Sequence, residues 1–370
     1  MVQTSSPIRW GILGTGTIAR EFAYGLSCLP DAKLVAVGSR TLGSAQPFAQ
    51  AYAIPQVHSS YQALAEDPAV DVIYIATPHF RHYQDCLLCL NAGKAVLCEK
   101  PLALNAKEAQ EIADTARRQG VFCMEAMWMR FMPLVKQTQA LIAEGTIGEV
   151  LTLTADFGYP TEYDPKSRFF NLDLGGGALL DRGSYPLSLA FQLLGAPESA
   201  VGQACLGKTG VDEQAAFILG YANGQLAQLA ATLRGYASNT AVITGTKGKI
   251  TLHPPFCRPD RLSVTPYSEQ PVVRSSQPSA SPSALKRRLV GLGKRIPLAQ
   301  AAVAKLRDNT KTLSTPIQGN GFNYEAAEVM ACLRQQQLES PTMPLGESVQ
   351  MLKIMDRLRQ SWGLHYPQDQ

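Results

Sequence analysis

The sequence predicts an α/β fold: an N-terminal doubly wound parallel sheet, followed by a C-terminal α+β domain with a large, mostly antiparallel sheet. Three observations predict it. Through about residue 125, short apolar runs alternate with helical patterns, as parallel strands covered on both faces require. After about residue 128 the apolar period switches to two, as in "EVLTLTADFGY" (149–159), which suits a sheet with one face exposed or used for association. The chain has 370 residues, too many for one ordinary core. The expected division is 1–126 and 127–370, with a basic insertion near 275–315 in the second domain.

The elements follow in order. "IRWGIL" (8–13) is the first strand, and a helix begins near Thr17. "KLVAV" (33–37) is a strand, "GSAQPFAQAYA" is helical, and a short strand follows at "QVHS". "DVIYIAT" (71–77) is the fourth strand, and a helix across 80–92 leads to "AVLC" (95–98), apolar without a polar break. Asn105 lies three residues before Glu108, which is an N-cap with a capping-box glutamate. That helix runs to about Gln119, with Gly120 as its C-cap. "VFCMEA" (121–126) is one more strand. In the second half, residues 213–233 read as two strands joined through Asn223-Gly224, a strong hairpin signal. Residues 239–252 read as another pair turning near Lys247-Gly248, and helices return at 322–337 and 345–361.

Composition excludes several classes. Hydrophobic residues are 45% and charged residues 17%, which argues against disorder. The apolar runs fall short of the ~20 residues that span a bilayer. "MVQTSSPIRW" holds no apolar signal core, and eight cysteines are scattered without a framework, so a reducing, cytoplasmic setting is expected. Cys86 and Cys89 form C-x-x-C inside an apolar helix stripe and read as buried structural thiols. No residue cluster has metal-ligand spacing, so no metal is expected. Net charge is +4. Residues 285–311 hold eight Lys/Arg against Asp308 alone, or +7, which leaves −3 for the remainder. The chain as a whole is therefore not a nucleic-acid binder.

The first strand runs into Gly14-Thr15-Gly16-Thr17-Ile18-Ala19, a G-x-G-x-x-A loop opening a helix. Alone this is weak. After a strand and at the start of a βαβ unit, it predicts a Rossmann dinucleotide site, with the pyrophosphate at a helix N-terminus. An NAD site usually has Asp or Glu at the end of the second strand, on the ribose 2′-hydroxyl. Here that strand ends in Gly38-Ser39-Arg40-Thr41. With no acid present, and with Arg40 offering a donor fork beside Ser39, NADP is expected ahead of NAD.

Ligands of doubly wound sheets lie beyond the carboxyl ends of the strands. Lys100 ends the "AVLC" strand and should emerge there, with Pro101 fixing the chain in a cis or a trans bond. Asp181 and Tyr185, in "GGGALLDRGSYP", are four apart and share one helix face. A phenol titrates near pKa ~10, and a neighbouring ammonium would pull it toward neutral pH as an acid/base. The plain alternative is a snorkelling lysine and a core tyrosine.

With "GILGTGTIA", "DVIYIATPHFRH", "AGKAVLCEKP", "MEAMWMRF", "GGGALLDRGSY" and "TGTKG", the chain resembles the glucose–fructose oxidoreductase / inositol dehydrogenase / rhizopine-catabolism family over nearly its whole length. Within it, the chain is most similar to the branch of dimeric dihydrodiol dehydrogenases and NADP-dependent D-xylose 1-dehydrogenases. The resemblance implies Lys100 and Tyr185 as the catalytic pair and Asp181 as a substrate or orienting group. Most of the wider family has histidine at the position of Tyr185. It further implies that Thr77, Pro78 and His79 cover the nicotinamide side, although the common family pattern has asparagine at His79. His82 would cap or pack beside the cofactor, and Glu99 would contact the nicotinamide ribose. Trp128 and Arg130 would wall the substrate pocket. A homodimer through the C-terminal sheet is also implied.

The resulting expectation is an NADP-dependent dehydrogenase or reductase acting on a ring-carbon hydroxyl or carbonyl of a sugar or cyclic diol. A biliverdin or anhydro-sugar reductase on the same fold is the nearest alternative. A non-catalytic NADP-binding regulator is another, and the presence of both Lys100 and Tyr185 argues against it. The basic insertion reads as a solvated addition to the second domain.

Overall fold

The structure, a computed structural model, describes residues 6–267 and 309–369. Most of the basic insertion lies outside these residues. Of it, Lys311–Ser314 forms an edge strand.

The first sheet has six parallel strands: β1 (Ile8–Leu13), β2 (Ala32–Gly38), β3 (Gln56–His58), β4 (Val72–Ile75), β5 (Ala95–Glu99) and β6 (Cys123–Ala126). Their spatial order is β3-β2-β1-β4-β5-β6, so the chain reverses direction across the sheet between β1 and β4. That reversal opens a crevice at the carboxyl ends of β1 and β4. Helices α1 (Thr17–Ser27), α2 (Leu42–Tyr52), α3 (Tyr61–Ala65), α4 (His82–Asn91) and α5 (Ala106–Gln119) lie between the strands. Every residue of β4 and β5 is buried, which is why "AVLC" tolerates no polar residue. Asn105 Oδ1 accepts from the Glu108 N–H at 2.9 Å, and Glu108 Oε2 accepts from the Leu104 N–H at 3.1 Å. The return bond thus lands one residue before the cap. Gly120 closes the helix at φ +63°.

The second sheet contains β7 (Val150–Gly158), β8 (Ser199–Leu206), β9 (Asp212–Gly220), β10 (Leu226–Thr232), β11 (Ala241–Gly245), β12 (Gly248–Leu252), β13 (Arg261–Pro266) and β14 (Lys311–Ser314). The order is β14-β13-β12-β11-β7-β10-β9-β8, with β7 and β10 parallel and the other pairs antiparallel. Strand β9 alternates buried Ala215, Phe217 and Leu219 with exposed Gln214, Ala216 and Ile218. The inner face carries α7 (Ser184–Leu194), whose residues through Phe191 are buried. Helices α6 (Pro133–Ala143) and α9 (Leu345–Ser361) complete the layer, and α9 packs on α5 and α7 and so ties it to the first sheet, while α8 (Phe322–Arg334) packs on α1. Strands β8, β13 and β14 lack a long apolar alternation, and no sequence signal announced them. No described helix is long and apolar enough to cross a membrane.

Candidate active site

A cavity of about 1000 Å³ runs from the glycine loop, past the ends of β1, β4 and β5, to the inner face of the second sheet. At one end lie Gly14, Thr15, Gly16, Thr17 and Ile18. Gly14 has φ +108°, and a Cβ there would meet Ala76 O at 2.9 Å, so the turn requires glycine. A Cβ on Gly16 would meet nothing within 4 Å, and α1 begins there without a side-chain cap. The first amides of α1 are thus open to an anion. Ala19 does not reach the cavity. It faces the core of the first sheet, fully buried, because its place on α1 turns it toward the strands.

Beyond the end of β2, Ser39 and Arg40 line the cavity together with Thr41, Ser44 and Tyr61. Thr41 Oγ1 donates to Ser44 Oγ at 3.1 Å. No carboxylate lines this end of the cavity. These donors fit the phosphates of a dinucleotide. The three further side chains escaped sequence reasoning because hydroxyls at the cap or in the first turn of a helix, here α2 and α3, carry no distinctive pattern.

At the middle, Thr77, Pro78 and His79 follow β4 and line the cavity, with His82 behind them. Thr77 Oγ1 donates to Asp85 Oδ2 at 2.8 Å. The His82 ring nitrogens lie 2.8 Å from Thr77 O and 2.8 Å from Pro101 O, so this fully buried ring joins the β4 and β5 loops. The Lys100-Pro101 peptide is cis. Burial, reinforced by the Arg168 cation, holds His79 well below the ordinary histidine value, so the ring is neutral at pH 7. Glu99 accepts from Tyr74 Oη and, at 3.2 Å, from the Lys100 N–H. Burial nevertheless pushes its pKa upward.

Lys100 and Tyr185 both line the cavity. Lys100 Nζ donates to Asp181 O at 2.6 Å and Oδ1 at 3.3 Å, and lies 4.7 Å from the centre of the Tyr185 ring. Asp181 Oδ1 also accepts from Arg168 Nη1 at 3.0 Å, and His79 Nε2 stands 4.0 Å away. Burial raises the Asp181 pKa, but the Lys100 and Arg168 cations outweigh it and keep the carboxylate ionised well below its usual range. The segment Leu179–Gly183 is a π-helical turn rather than the start of a regular α-helix. Asp181 and Tyr185 still face the same cavity, because the wider turn brings residues four apart nearly into line.

Two further expectations need correction. Tyr185 is not pulled toward neutral pH: burial, then Cys257, push its pKa well above 10, and the hydrogen bond from Trp128 Nε1 at 3.2 Å opposes this only in part. The Lys100 ammonium sits against the face of the ring and is paired with Asp181. Arg130 does not reach the pocket. It is 1% exposed, and its guanidinium donates to Ser188 Oγ at 2.7 Å, Thr342 O at 3.0 Å and Glu347 Oε2 at 2.7 Å. Trp128 does line the cavity, stacked on Phe322 with centroids 5.2 Å apart. Phe157, Tyr159, Arg168, Phe169 and Cys257 complete the wall. Phe157 and Tyr159 could have been read from the period-two pattern of β7. Cys257 follows β12 in a loop with no local signal. All eight cysteines are free, and no group of metal-ligating side chains occurs among the described residues.

Residues 8–127 match the family described as an oxidoreductase family with an NAD-binding Rossmann fold. Residues 135–251 match the C-terminal domain of the same GFO/IDH/MocA group. The trans-1,2-dihydrobenzene-1,2-diol dehydrogenase of Mus musculus is 37% identical, with 98% of this chain and 99% of that one covered. Its Homo sapiens counterpart is 35% identical, with 98% and 99% covered. Among solved structures, a 3-ketoreductase from Actinomadura kijaniata in complex with NADP and TDP-benzene has 25% identity and a TM-score of 0.75 over 96% of this chain and 98% of that one. A levoglucosan dehydrogenase in complex with NADH and levoglucosan shares the fold, with a TM-score of 0.80 at 21% identity over 97% and 98%.

Proposed function

The chain belongs to the glucose–fructose oxidoreductase / inositol dehydrogenase / rhizopine-catabolism oxidoreductase family, and on that premise we propose that it is an NADP-dependent oxidoreductase of a ring-carbon hydroxyl or carbonyl in a sugar or cyclic diol. The observation that carries the reading is the meeting of Lys100, from the end of β5, with Asp181 and Tyr185 in the cavity that begins at the glycine loop. Relatives named as dehydrogenases of a cyclic diol support the substrate class. Arg40, with Ser39, Thr41 and Ser44 and no carboxylate beside it, supports NADP over NAD.

The cofactor would lie along Gly14–Ile18, Ser39, Arg40, Thr77–His79 and Glu99, with its nicotinamide toward Lys100. When bound, it supplies the hydride donor or acceptor. The chain's own residues handle the proton. Lys100 Nζ is placed to donate to a substrate oxygen, and Asp181 holds the ammonium in position. Tyr185 Oη, protonated at neutral pH, is set to give its proton to a carbonyl oxygen; in the oxidation direction only its ionised form, whose share grows with pH, takes the proton from the carbinol. Trp128 Nε1 orients that hydroxyl. The aromatic wall of Phe157, Tyr159 and Phe169 reduces access of water.

The same reading assigns 1–126 to the cofactor and 127–370 to substrate and association. It includes a homodimer through the second sheet, where Val201, Ile218 and Leu226 share the exposed face. A cytoplasmic setting is supported by the free thiols. The test is a panel of sugars and cyclic diols with NADP+ and NAD+ side by side, followed by NADPH formation. No turnover on any polyol would sink the reading, as would near wild-type rates in both Lys100→Met and Tyr185→Phe.

A further inference from the structure

Arg168 has no part in the proton chemistry above, yet it stands in the substrate end of the cavity. Its guanidinium lies 4.0 Å over the Phe169 ring, and its side chain is 43% exposed. Among the described residues it makes a single hydrogen bond, to Asp181 Oδ1 at 3.0 Å. A guanidinium has five N–H donors, so most of the fork remains available to a ligand. Arg130 and Arg182 are the contrast: each is fully buried and spends its fork on protein oxygens.

The oxygen that Arg168 holds is the one Lys100 Nζ also approaches, at 3.3 Å. One carboxylate oxygen thus lies between the group placed for the reacting oxygen and a second, partly free cation. Neighbouring hydroxyls on a ring stand about one hydrogen-bond length apart. A ring that presents one oxygen to Lys100 and Tyr185 therefore brings its adjacent oxygen to Asp181 and Arg168. There the adjacent hydroxyl donates to the carboxylate and accepts from the guanidinium. A mono-alcohol leaves that exchange unmade.

Resting on the proposed function, we propose that Arg168 is a specificity-determining residue that reads the hydroxyl next to the reacting carbon, so the site selects ring vicinal diols over ring mono-alcohols. A hydrogen bond to a charged group that one ligand makes and the other lacks gives a preference of about tenfold or more.

The test uses the full chain loaded with NADPH. Binding of trans-1,2-cyclohexanediol and of cyclohexanol is measured by calorimetry for wild type, Arg168→Met and Arg168→Lys, with thermal melting as the check on folding. Wild type should bind the diol at least about tenfold more tightly. Arg168→Met should cut the ratio severalfold, leaving the share that Asp181 still supplies, and Arg168→Lys, a single point charge, should fall between. With NADP+, the loss in Arg168→Met should appear mainly in KM for the diol. The inference is overturned if wild type shows no preference, or if the ratio survives Arg168→Met. The ratio is read without turnover, so failure to oxidise any polyol would sink the proposed function and leave this result standing on its own.

Discussion

The contact between Lys100 and Asp181 joins the two sheets, and its strength can be worked from its geometry. At 3.3 Å, and at the effective dielectric of about 20 that suits such sites, the Coulomb attraction is about 5 kcal/mol. Desolvation of two nearly buried groups offsets part of this. Asp181→Asn leaves Lys100 buried opposite an amide, with Arg168 and Arg182 nearby, and should cost about 3 kcal/mol. Lys100→Met leaves Asp181 with Arg168, but that partner is 43% exposed and restores less than about 1 kcal/mol. The double variant Lys100→Met/Asp181→Asn should then cost little more than the worse single change, a coupling of about 2 kcal/mol. Urea unfolding at pH 7, followed by tryptophan fluorescence, measures all four corners. Additivity of the two single changes to within about 0.5 kcal/mol would refute the reasoning. The sign with pH is also set. Because the folded pKa of Asp181 is depressed, its contribution is full above about pH 4 and disappears as pH falls toward the folded value. Asp181→Asn should lack that acid-side loss.

Tyr185→Phe should lower kcat by about 10²–10⁴. With burial holding the phenol protonated, wild-type kcat/KM for oxidation should rise from pH 7 to pH 9, and a flat profile would contradict a tyrosine base. Arg40→Ala should weaken NADP+ binding by about 1.5–3 kcal/mol in calorimetry and leave NAD+ nearly unchanged; equal losses for both would place Arg40 on the adenine instead. Glu325 is fully buried on α8 with neither carboxylate oxygen hydrogen-bonded among the described residues, and burial, then Glu99, push its pKa far above the usual value. The folded chain thus keeps a proton that the unfolded chain releases near pH ~4, and stability falls by about 1.4 kcal/mol per pH unit above that. Glu325→Gln should raise the Tm, with a gain that grows from pH 5 to pH 8; a pH-independent gain would show that Glu325 is ionised in the fold.

Much of the first sheet was legible because its signals are local. An unbroken apolar run at 95–98, an Asn105 cap with Glu108 three residues on, and glycines between a strand and a helix are settled by interactions within a few residues. Lys100 could be placed at the cavity for the same reason: a parallel strand aims its carboxyl end at the crevice. The edge strands β8 and β14 were not legible, since an edge needs no apolar alternation to be held by its neighbour.

What the chain's letters settled, then, was the parallel sheet, the glycine loop, the absence of an acid beside Arg40, and the position of one lysine. Which arginine reaches the cavity was left to the packing: Arg130 and Arg168 are chemically identical, and only their surroundings bury one on Ser188 and Glu347 and open the other to the cavity. The packing also decided the state of the phenol. A helix face could bring Tyr185 near Lys100, but its proton affinity sums the removal of water by residues scattered from Trp128 to Cys257, and no local pattern encodes that sum.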